Sequence, residues 1–421
     1  GGIVTDFRVW APRAQRVELD LPGVGRRLPM EREAGGWWVR SVTEAGHGTD
    51  YAYRLDGGPP RPDPRSPWQP QGVHGPSRVL DHGRFRWSDR FWQPRPVSAA
   101  LFYEAHVGTF SPEGTFEGAI ANIDYLVDLG VTHLELLPVA EFAGARNWGY
   151  DGVALYAPHH AYGGPEGLKR LVDACHAGGL AVVLDVVYNH LGPEGAYAPE
   201  FAPYLSEGHG TSWGSGVNVD GRESDEVRRF LIDNALMWLR DYHLDGLRLD
   251  AVHTIHDTSA LHILEELARE VAALEGHIGR HLCLIAESNR NDPREVTSRD
   301  AGGLGLDAQW NDDLHHVLHA LLTEERGGYI QDYGAIEYLG KAYREAYVFD
   351  GRYSVGRGRS FGRPARGVPG SRLVVFTQNH DQVGNRPGGE RLGHLVGEHK
   401  ARLAAALVLF SPMVPMLFQG E

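Results

Sequence analysis

The sequence contains only two cysteines, Cys175 and Cys283, among 421 residues. Neither lies in a CxxC pair or at a metal-ligand spacing, which argues against a disulfide framework and against a cysteine metal site. We expect both to be buried thiols in the reducing cytoplasm. The sequence also lacks any run of 18 apolar residues, so we expect no transmembrane helix and no membrane partner.

Positive charge is also scarce. Lysine and arginine number 41 against 55 acidic residues, which gives a formal net charge of −14. Such a chain repels polyphosphates, so we expect no nucleic acid as a partner. No Gly-rich phosphate loop and no HExxH helix are visible, which disfavours phosphoryl transfer and zinc-dependent hydrolysis. A neutral substrate is therefore expected.

What the sequence does contain is enough apolar material for two domains, with 42% hydrophobic and 23% charged residues. Residues 3–21 alternate as strands do, and aromatic pairs at 37–38 and 51–53 mark further strands. They predict a small all-β sandwich over residues 1–97. This includes a linker at 59–76, where dense proline and glycine predict the absence of regular structure.

From residue 98 the pattern changes to short apolar strands that alternate with amphipathic helices such as 116–130, 226–243 and 261–275. The predicted strands are 100–107, 132–139, 180–190, 245–252, 281–288, 305–312, 372–381 and 413–421. Eight such units predict an α/β fold, a closed (β/α)8 TIM barrel over residues 98–421. We expect a long irregular loop insertion at about 191–225, and neither the last barrel helix nor a C-terminal domain before residue 421.

Polar side chains follow the apolar strands where they end, and barrels place catalytic groups at the C-terminal ends of strands. These residues are Asp185, Asn189, His190, Arg248, Asp250, Glu287, His380 and Asp381. One carboxylate in such a position is often a helix N-cap or a solvated loop residue. Four such segments that converge on one rim instead predict an active site. Cleavage of a glycosidic bond needs a pair of carboxyl groups, one to protonate the leaving oxygen and one to meet the anomeric carbon.

Two further features concern binding. Trp148 and Tyr150 lie in the loop segment NWGYDGV and offer flat apolar faces of the kind that sugars pack against. The histidine pairs 159–160 and 315–316 could suggest a metal, but no carboxylate partners are spaced around them. We therefore expect substrate or structural roles for these histidines, and no metal.

The segments DVVYNH, GLRLDAVH, LIAESN and FTQNHD resemble, in order, the four short motifs of the α-amylase clan of glycoside hydrolases. The resemblance covers nearly the whole chain, because FRVWAPRAQRVELDL is similar to the β-sandwich that precedes the barrel in branching, debranching and trehalose-releasing members. It implies that Asp250 is the nucleophile, Glu287 the general acid/base and Asp381 the transition-state stabiliser. The substrate contacts that it implies are Trp148, Tyr150, His190, Arg248, His253, His380, Asn385 and Arg386.

Longer strings, among them RNWGYDGV (146–153) and QNHDQVGNR (378–386), are most similar to the malto-oligosyltrehalose trehalohydrolase family within this clan. This resemblance implies hydrolysis of the α-1,4 bond next to the terminal trehalose of malto-oligosyltrehalose or a related α-glucan, without a cofactor. His253 and Thr254 stand where many amylases carry lysine and histidine, which implies a different leaving-side pocket. Two alternatives stay open, a glucan-branching or debranching enzyme of the clan and a non-catalytic glucan-binding barrel.

For a hydrolase we predict retention of anomeric configuration. The carboxyl groups of Asp250 and Glu287 should then lie about 5–5.5 Å apart. Glu287 must carry a proton near neutral pH, so we expect partial burial and the negative charges of its neighbours to raise its pKa.

Overall fold

The computed structural model describes residues 3–421. Its N-terminal part consists of two antiparallel sheets. The strands are β1 (Val4–Trp10), β2 (Val17–Leu21), β3 (Arg26–Pro29), β4 (Glu31–Arg32), β5 (Trp37–Thr43), β6 (Asp50–Leu55), β7 (Pro60–Arg61) and β8 (Ser77–Arg78). One sheet has the order β1-β5-β4, and the other has the order β3-β2-β6-β7, with β8 also paired to β6.

The two sheets share one hydrophobic core, which confirms the predicted all-β sandwich. Phe7 of β1, Leu19 of β2 and Tyr51 of β6 are buried in the same cluster, and the rings of Phe7 and Tyr51 meet edge to face at 5.0 Å. The prediction that residues 59–76 lack regular structure is wrong at β7. Pro60 is tolerated there because β7 is an edge strand, where a missing N–H breaks no interior ladder.

Fourteen further strands follow. They are β9 (Phe102–Ala105), β10 (His133–Leu136), β11 (Ala140–Glu141), β12 (Ala154–Pro158), β13 (Ala181–Val186), β14 (Leu205–Thr211), β15 (Gly214–Val217), β16 (Gly246–Leu249), β17 (Cys283–Ala286), β18 (Ala308–Trp310), β19 (Tyr353–Ser354), β20 (Arg359–Ser360), β21 (Leu373–Phe376) and β22 (Val414–Phe418). Eight of them pair in parallel and close into a barrel in the order β9-β10-β13-β16-β17-β18-β21-β22. Each lies inside one of the eight predicted strand segments, so the predicted TIM barrel is confirmed.

All α-helices of residues 3–421 lie between barrel strands in the sequence. They are α1 (Val107–Phe110), α2 (Phe116–Ile120), α3 (Ile123–Leu129), α4 (Gly164–Ala177), α5 (Ala198–Phe201), α6 (Ser224–Asp241), α7 (Ile263–Ile278), α8 (Asp312–Thr323), α9 (Glu337–Glu345), α10 (His380–Gly384), α11 (Leu392–Val396) and α12 (Glu398–Leu409). The single helix predicted at 116–130 is divided into α2 and α3. The break falls at Asn122, which caps α3 and whose side-chain amide donates to the Phe110 carbonyl oxygen at 2.8 Å.

The insertion predicted as an irregular loop at 191–225 is partly regular, which corrects that prediction. It holds the short helix α5 and the antiparallel hairpin β14–β15. The segment also packs against the sandwich, because Tyr204 meets Trp10 at 5.7 Å between ring centroids and Phe201 meets Tyr53 at 6.4 Å. Tertiary contacts with another domain thus order a segment that its glycines and prolines alone would leave irregular.

Two observations concern the scarce features of the sequence. Within residues 3–421, no helix combines the length and the apolar character that crossing a bilayer would require. Cys175 and Cys283 are both buried free thiols, and burial raises the pKa of each. Neither cysteine is therefore a reactive surface thiol.

Candidate active site

The barrel delivers the three predicted acids from three separate strands. Asp250 directly follows β16, Glu287 directly follows β17, and Asp381 lies in α10 after β21. The side chains of Asp250 and Glu287 are 12% and 19% exposed, whereas Asp381 is an exposed residue. Because the charges of Asp250 and Asp381 both act on Glu287, the three acids share one electrostatic site at the carboxyl end of the barrel.

The Asp250 carboxylate is held at both oxygens. Arg248 Nη1 donates to its Oδ1 at 2.8 Å, and Asn189 Nδ2 donates to its Oδ2 at 3.1 Å. The next residue, Ala251, has a left-handed backbone with φ of 42°, and its N–H donates to Glu287 Oε2 at 2.6 Å. A left-handed alanine is a strained conformation that persists where surrounding contacts impose it. This turn therefore fixes the position of the Glu287 carboxyl group relative to Asp250.

Glu287 has the electrostatic character of a proton donor at neutral pH. Burial raises its pKa to about 7, and the negative charges of Asp250 and Asp381 act in the same direction. Arg248 and the Ala251 N–H favour the charged form and limit the rise. Because Oε2 already accepts the Ala251 N–H, the proton belongs on Oε1. This raised pKa agrees with the expectation from the sequence.

Arg248 is the buried cation that balances this cluster of acids. Its Nη1 lies 2.9 Å from both carboxylate oxygens of Asp185 and 2.8 Å from Asp250 Oδ1. Its guanidinium lies 4.0 Å from the ring centroid of Trp310, a cation–π geometry. Arg248 therefore contacts Asp250 directly, and Asp185 shares the same cation.

The variant Arg248→Met should lower the free energy of unfolding by about 3–5 kcal/mol, because it leaves buried carboxylates without their cation. Urea unfolding of the two proteins measures this loss. Arg229→Met is the matched control, since Arg229 pairs with Asp233 on a partly exposed helix surface and should cost at most about 1 kcal/mol. Equal losses in the two variants would contradict the assignment of Arg248 as the compensating charge.

Tyr150 and His380 form one wall of the site. Their rings stack at 5.1 Å, and the Tyr150 hydroxyl donates to Asp185 Oδ2 at 2.6 Å. His380 Nδ1 lies 2.8 Å from Glu104 Oε2, and this carboxylate raises the pKa of His380 against the effect of burial. Trp148, which is 39% exposed, meets the His380 ring edge to face at 5.8 Å. One face of Tyr150 is thus covered by His380, and a sugar would stack on the other.

His190 is buried beneath an aromatic side chain of the insertion. Its Nδ1 faces Asn189 Oδ1 at 2.5 Å, and its Nε2 faces the Tyr150 carbonyl oxygen at 2.9 Å. Trp213, at the tip of the β14–β15 hairpin and 54% exposed, stacks over the His190 ring at 5.3 Å. Trp213 was not predicted from the sequence, because its position over the site depends on how the insertion folds.

His253 lies near Asp250, and the charge of Asp250 acts on its imidazole ring. Its buried Nδ1 atom has no hydrogen-bond partner among residues 3–421. Burial and the charge of Arg290 lower its pKa, and the charge of Asp250 opposes them. A neutral imidazole beside Asp250 has one nitrogen that donates and one that accepts a hydrogen bond.

Asn385 and Arg386 occupy different positions relative to Asp381. Asn385 Nδ2 donates to Asp381 Oδ1 at 2.6 Å and so orients that acid. Arg386 instead pairs through both terminal nitrogens with Glu325, at 3.0 and 3.2 Å, and also contacts Glu390. Its guanidinium is therefore committed to protein carboxylates, and direct contact between Arg386 and substrate stays a prediction.

A fifth acid of this rim, Asp312, was not predicted from the sequence. Burial raises its pKa well above the ordinary value, and the charges of Glu287, Asp313 and Asp381 raise it further. Asp312 begins α8 just after β18, so the rule that selected the other strand-end acids also applied to it. The short strand β18, with only three residues, weakened that signal.

One cluster in residues 3–421 has the composition of a metal site, and it lies outside the three acids. Glu141, His159 and His160 each bring a ligand atom within 4.8 Å of the others. The prediction that the histidine pair at 159–160 has no carboxylate partner is therefore wrong, because β11 supplies Glu141 from an earlier part of the chain.

Comparisons with known proteins agree with this architecture. Residues 83–205 match the α-amylase catalytic domain family, and residues 3–68 match carbohydrate-binding module 48, the isoamylase N-terminal domain. Among solved structures, one from Salmonella typhimurium described as a candidate alpha amylase superposes with a TM-score of 0.93 at 42% identity, over 99% of this chain and 71% of that chain. Apo pullulanase from Paenibacillus barengoltzii, with a TM-score of 0.75 at 24% identity over 100% of this chain and 72% of its own, shares the fold.

Curated relatives extend over almost the whole chain. The malto-oligosyltrehalose trehalohydrolase of Arthrobacter ramosus is 54% identical over 99% of this chain and 73% of its own length. Those of Mycobacterium tuberculosis H37Rv and Saccharolobus solfataricus are 49% and 46% identical, each over 99% of this chain and 72% of the relative. The chain therefore belongs to the malto-oligosyltrehalose trehalohydrolase family, glycoside hydrolases with an α-amylase catalytic domain.

Proposed function

We propose that this chain hydrolyses the α-1,4 bond next to the terminal trehalose of malto-oligosyltrehalose, with Asp250, Glu287 and Asp381 as its catalytic residues. One observation carries the catalytic part of the proposal. Two neighbouring carboxyl groups have opposite environments, since Asp250 accepts hydrogen bonds from Arg248 and Asn189, while Glu287 has its pKa raised to about 7. Glycosidases typically use one acid that carries a proton and one carboxylate that meets the anomeric carbon.

In the first step, Glu287 gives its proton from Oε1 to the glycosidic oxygen as the bond from that oxygen to the anomeric carbon breaks. Asp250 attacks the anomeric carbon from the opposite face, and trehalose leaves as a neutral alcohol. The product is a β-linked glycosyl ester on Asp250. Arg248 and Asn189 hold the Asp250 carboxylate so that rotation about its side chain does not compete with attack.

In the second step, water replaces trehalose at the anomeric carbon. Glu287, now ionised, removes a proton from this water while the ester bond to Asp250 breaks. The second inversion yields a malto-oligosaccharide with the original α configuration, and Glu287 regains its proton. Asp381, oriented by Asn385, would hold hydroxyl groups of the sugar ring at the cleavage position.

Three aromatic side chains support a carbohydrate as the substrate. Tyr150 lies against His380, Trp148 is partly exposed beside it, and Trp213 projects over His190 from the insertion. Aromatic faces pack against the apolar faces of pyranose rings while polar groups beside them bind the hydroxyls. The site therefore suits an extended chain of glucose units that passes the catalytic acids.

Incubation of the chain with maltotriosyl-trehalose should release trehalose and maltotriose. Proton NMR in the first minutes should show maltotriose as the α anomer, before mutarotation. Linear maltodextrin and pullulan are the substrates that test for a branching and for a debranching enzyme, respectively. Formation of new α-1,6 branches from maltodextrin, or cleavage of pullulan without trehalose release, would favour a branching or debranching enzyme. Binding of all three glucans without turnover would favour a non-catalytic barrel.

We further propose that the enzyme acts in the cytoplasm. The two thiols support this, since Cys175 and Cys283 are free and free buried cysteines are common where glutathione and thioredoxin keep thiols reduced.

A further inference from the structure

A second polar cluster lies at the base of the hairpin formed by β11 and β12. It consists of Glu141, the last residue of β11, and of His159 and His160, which follow β12. Glu141 and His159 are fully buried, whereas the His160 side chain is 34% exposed. None of the three residues contacts the acids or the predicted sugar contacts described above, so the proposed hydrolysis leaves the cluster without a role.

Strand pairing explains how these residues meet. The two strands are antiparallel, with Ala140 opposite Pro158 and Glu141 opposite Ala154, and the register shifts between these two pairs. Because His159 directly follows Pro158, it lies beside β11 although the hairpin loop separates the two in sequence. The backbone fixes this arrangement, because the His159 N–H donates to the Val139 carbonyl oxygen at 2.7 Å. The cluster therefore sits on a rigid element rather than on a flexible loop.

His159 is the observation that points to a ligand. Both of its ring nitrogens are buried and lack a hydrogen-bond partner within residues 3–421, although Nδ1 lies 3.0 Å from Glu141 Oε1. Its ring stacks on Phe142 at 3.8 Å and meets Tyr162 edge to face at 5.0 Å. A buried imidazole for which no protein group completes a well-aligned hydrogen bond at either nitrogen is uncommon and calls for an explanation such as a bound ion.

The carboxylate of Glu141 is oriented toward both histidines. Its Oε2 accepts the His160 backbone N–H at 2.9 Å, which fixes the plane of the group. Its Oε1 lies 3.0 Å from His159 Nδ1 and 2.5 Å from His160 Nδ1. Two imidazole nitrogens and one carboxylate oxygen thus lie within 4.8 Å of one another, and a backbone hydrogen bond holds the carboxylate as outer partners do in metal sites.

We propose that Glu141, His159 and His160 bind one divalent transition-metal ion, with Zn²⁺ as the best-matched ion. Imidazole nitrogen and carboxylate oxygen bind Zn²⁺ at about 2.0–2.2 Å, which places tetrahedral ligands roughly 3.3–3.5 Å apart. The cluster needs only small side-chain shifts to reach this spacing. Water that enters beside the partly exposed His160 completes the coordination. The ion joins the two ends of segment 142–158, which carries Trp148 and Tyr150.

Metal analysis of the untagged 421-residue chain tests this inference. After dialysis against a chelator and reconstitution with Zn²⁺, we expect one equivalent of zinc per chain. At a free zinc concentration of 100 times the dissociation constant, the melting temperature should rise by about 3 °C. Reconstitution with Co²⁺ should give visible absorption bands with intensities typical of four-coordinate cobalt. A chain that retains no stoichiometric zinc and gives no such bands would overturn the proposal.

The variants His159→Gln and Glu141→Gln should each abolish the equivalent of zinc and the cobalt bands. His176→Gln is the matched control, because His176 is also buried between carboxylates. Both of its nitrogens already bond to Asp89 and Asp245, each at 2.8 Å, which leaves no free ligand atom. This control should keep the full equivalent, and an equal loss in it would overturn the assignment. If a variant does not fold, the cobalt titration of the unmodified chain decides the question by itself.

Discussion

Replacement of Asp250 by asparagine should lower kcat/KM for maltotriosyl-trehalose by on the order of 10⁴-fold or more, because an amide cannot form the glycosyl ester. The two side chains have nearly the same volume, so packing around β16 should change little. Initial rates of trehalose release measure the effect. Asp233→Asn is the matched control, because Asp233 lies on α6 and pairs with Arg65 and Arg229. This variant should keep the rate within a few-fold of the unmodified enzyme.

A chemical test separates a nucleophile from an acid that only stabilises charge. In Asp250→Gly, azide can enter from the face that the carboxylate occupied, while Glu287 still protonates the leaving group. The product should then be a β-glycosyl azide, with inverted configuration. An α-glycosyl azide, or an asparagine variant that keeps a tenth of the normal rate, would assign the nucleophile to another residue.

Replacement of Glu287 by glutamine should lower kcat/KM for maltotriosyl-trehalose by about 10²- to 10⁴-fold, the usual contribution of a general acid. Trehalose is a poor leaving group that needs the proton, whereas fluoride does not. Formation of the glycosyl-enzyme from α-maltotriosyl fluoride should therefore lose much less rate. Equal losses on the two substrates would contradict a role in protonating the leaving group.

The same assignment predicts the pH profile. The pKa of Glu287 is raised to about 7, so the acid form predominates below that pH and falls tenfold per unit above it. In the unmodified enzyme, kcat/KM should decline as pH rises through about 7, and this alkaline limb should vanish in Glu287→Gln. Glu295→Gln is the matched control. Burial also raises the pKa of Glu295 to about 7, but its carboxylate accepts a hydrogen bond from the Gln309 side chain and has no role in the proposed reaction. That variant should keep the alkaline limb.

The barrel strands were predictable because their signal is local. A parallel strand with both faces covered appears in the sequence as a short apolar run. β13 is an example, since its residues AVVLDV are all buried. The strand-end rule then located Asp250 and Glu287 without knowledge of any contact. The same rule also applies to Asp312, but it did not identify this residue, because β18 has only three residues and contributes a weak apolar signal.

Helix ends and the insertion were less predictable, since distant residues decide them. The amphipathic pattern of 116–130 continues through Asn122, and the break depends on a hydrogen bond to Phe110 outside that segment. Glycine and proline in 191–225 argue for irregular structure, yet contacts of Phe201 and Tyr204 with the sandwich accompany a helix and a hairpin there. Composition reports local preference and carries no information about such partners.

The sequence by itself determined the barrel, the sandwich before it and the positions of the three acids, because hydrophobic period and strand ends are properties of contiguous residues. Tertiary structure alone decided which side chains share charge and hydrogen bonds. It placed Glu141 beside the histidines at 159–160, paired Arg386 with Glu325, and surrounded Glu287 with the charges that raise its pKa. Each of these depends on distance in space between residues far apart in the chain, and electrostatic interaction follows that distance and the local burial rather than sequence separation.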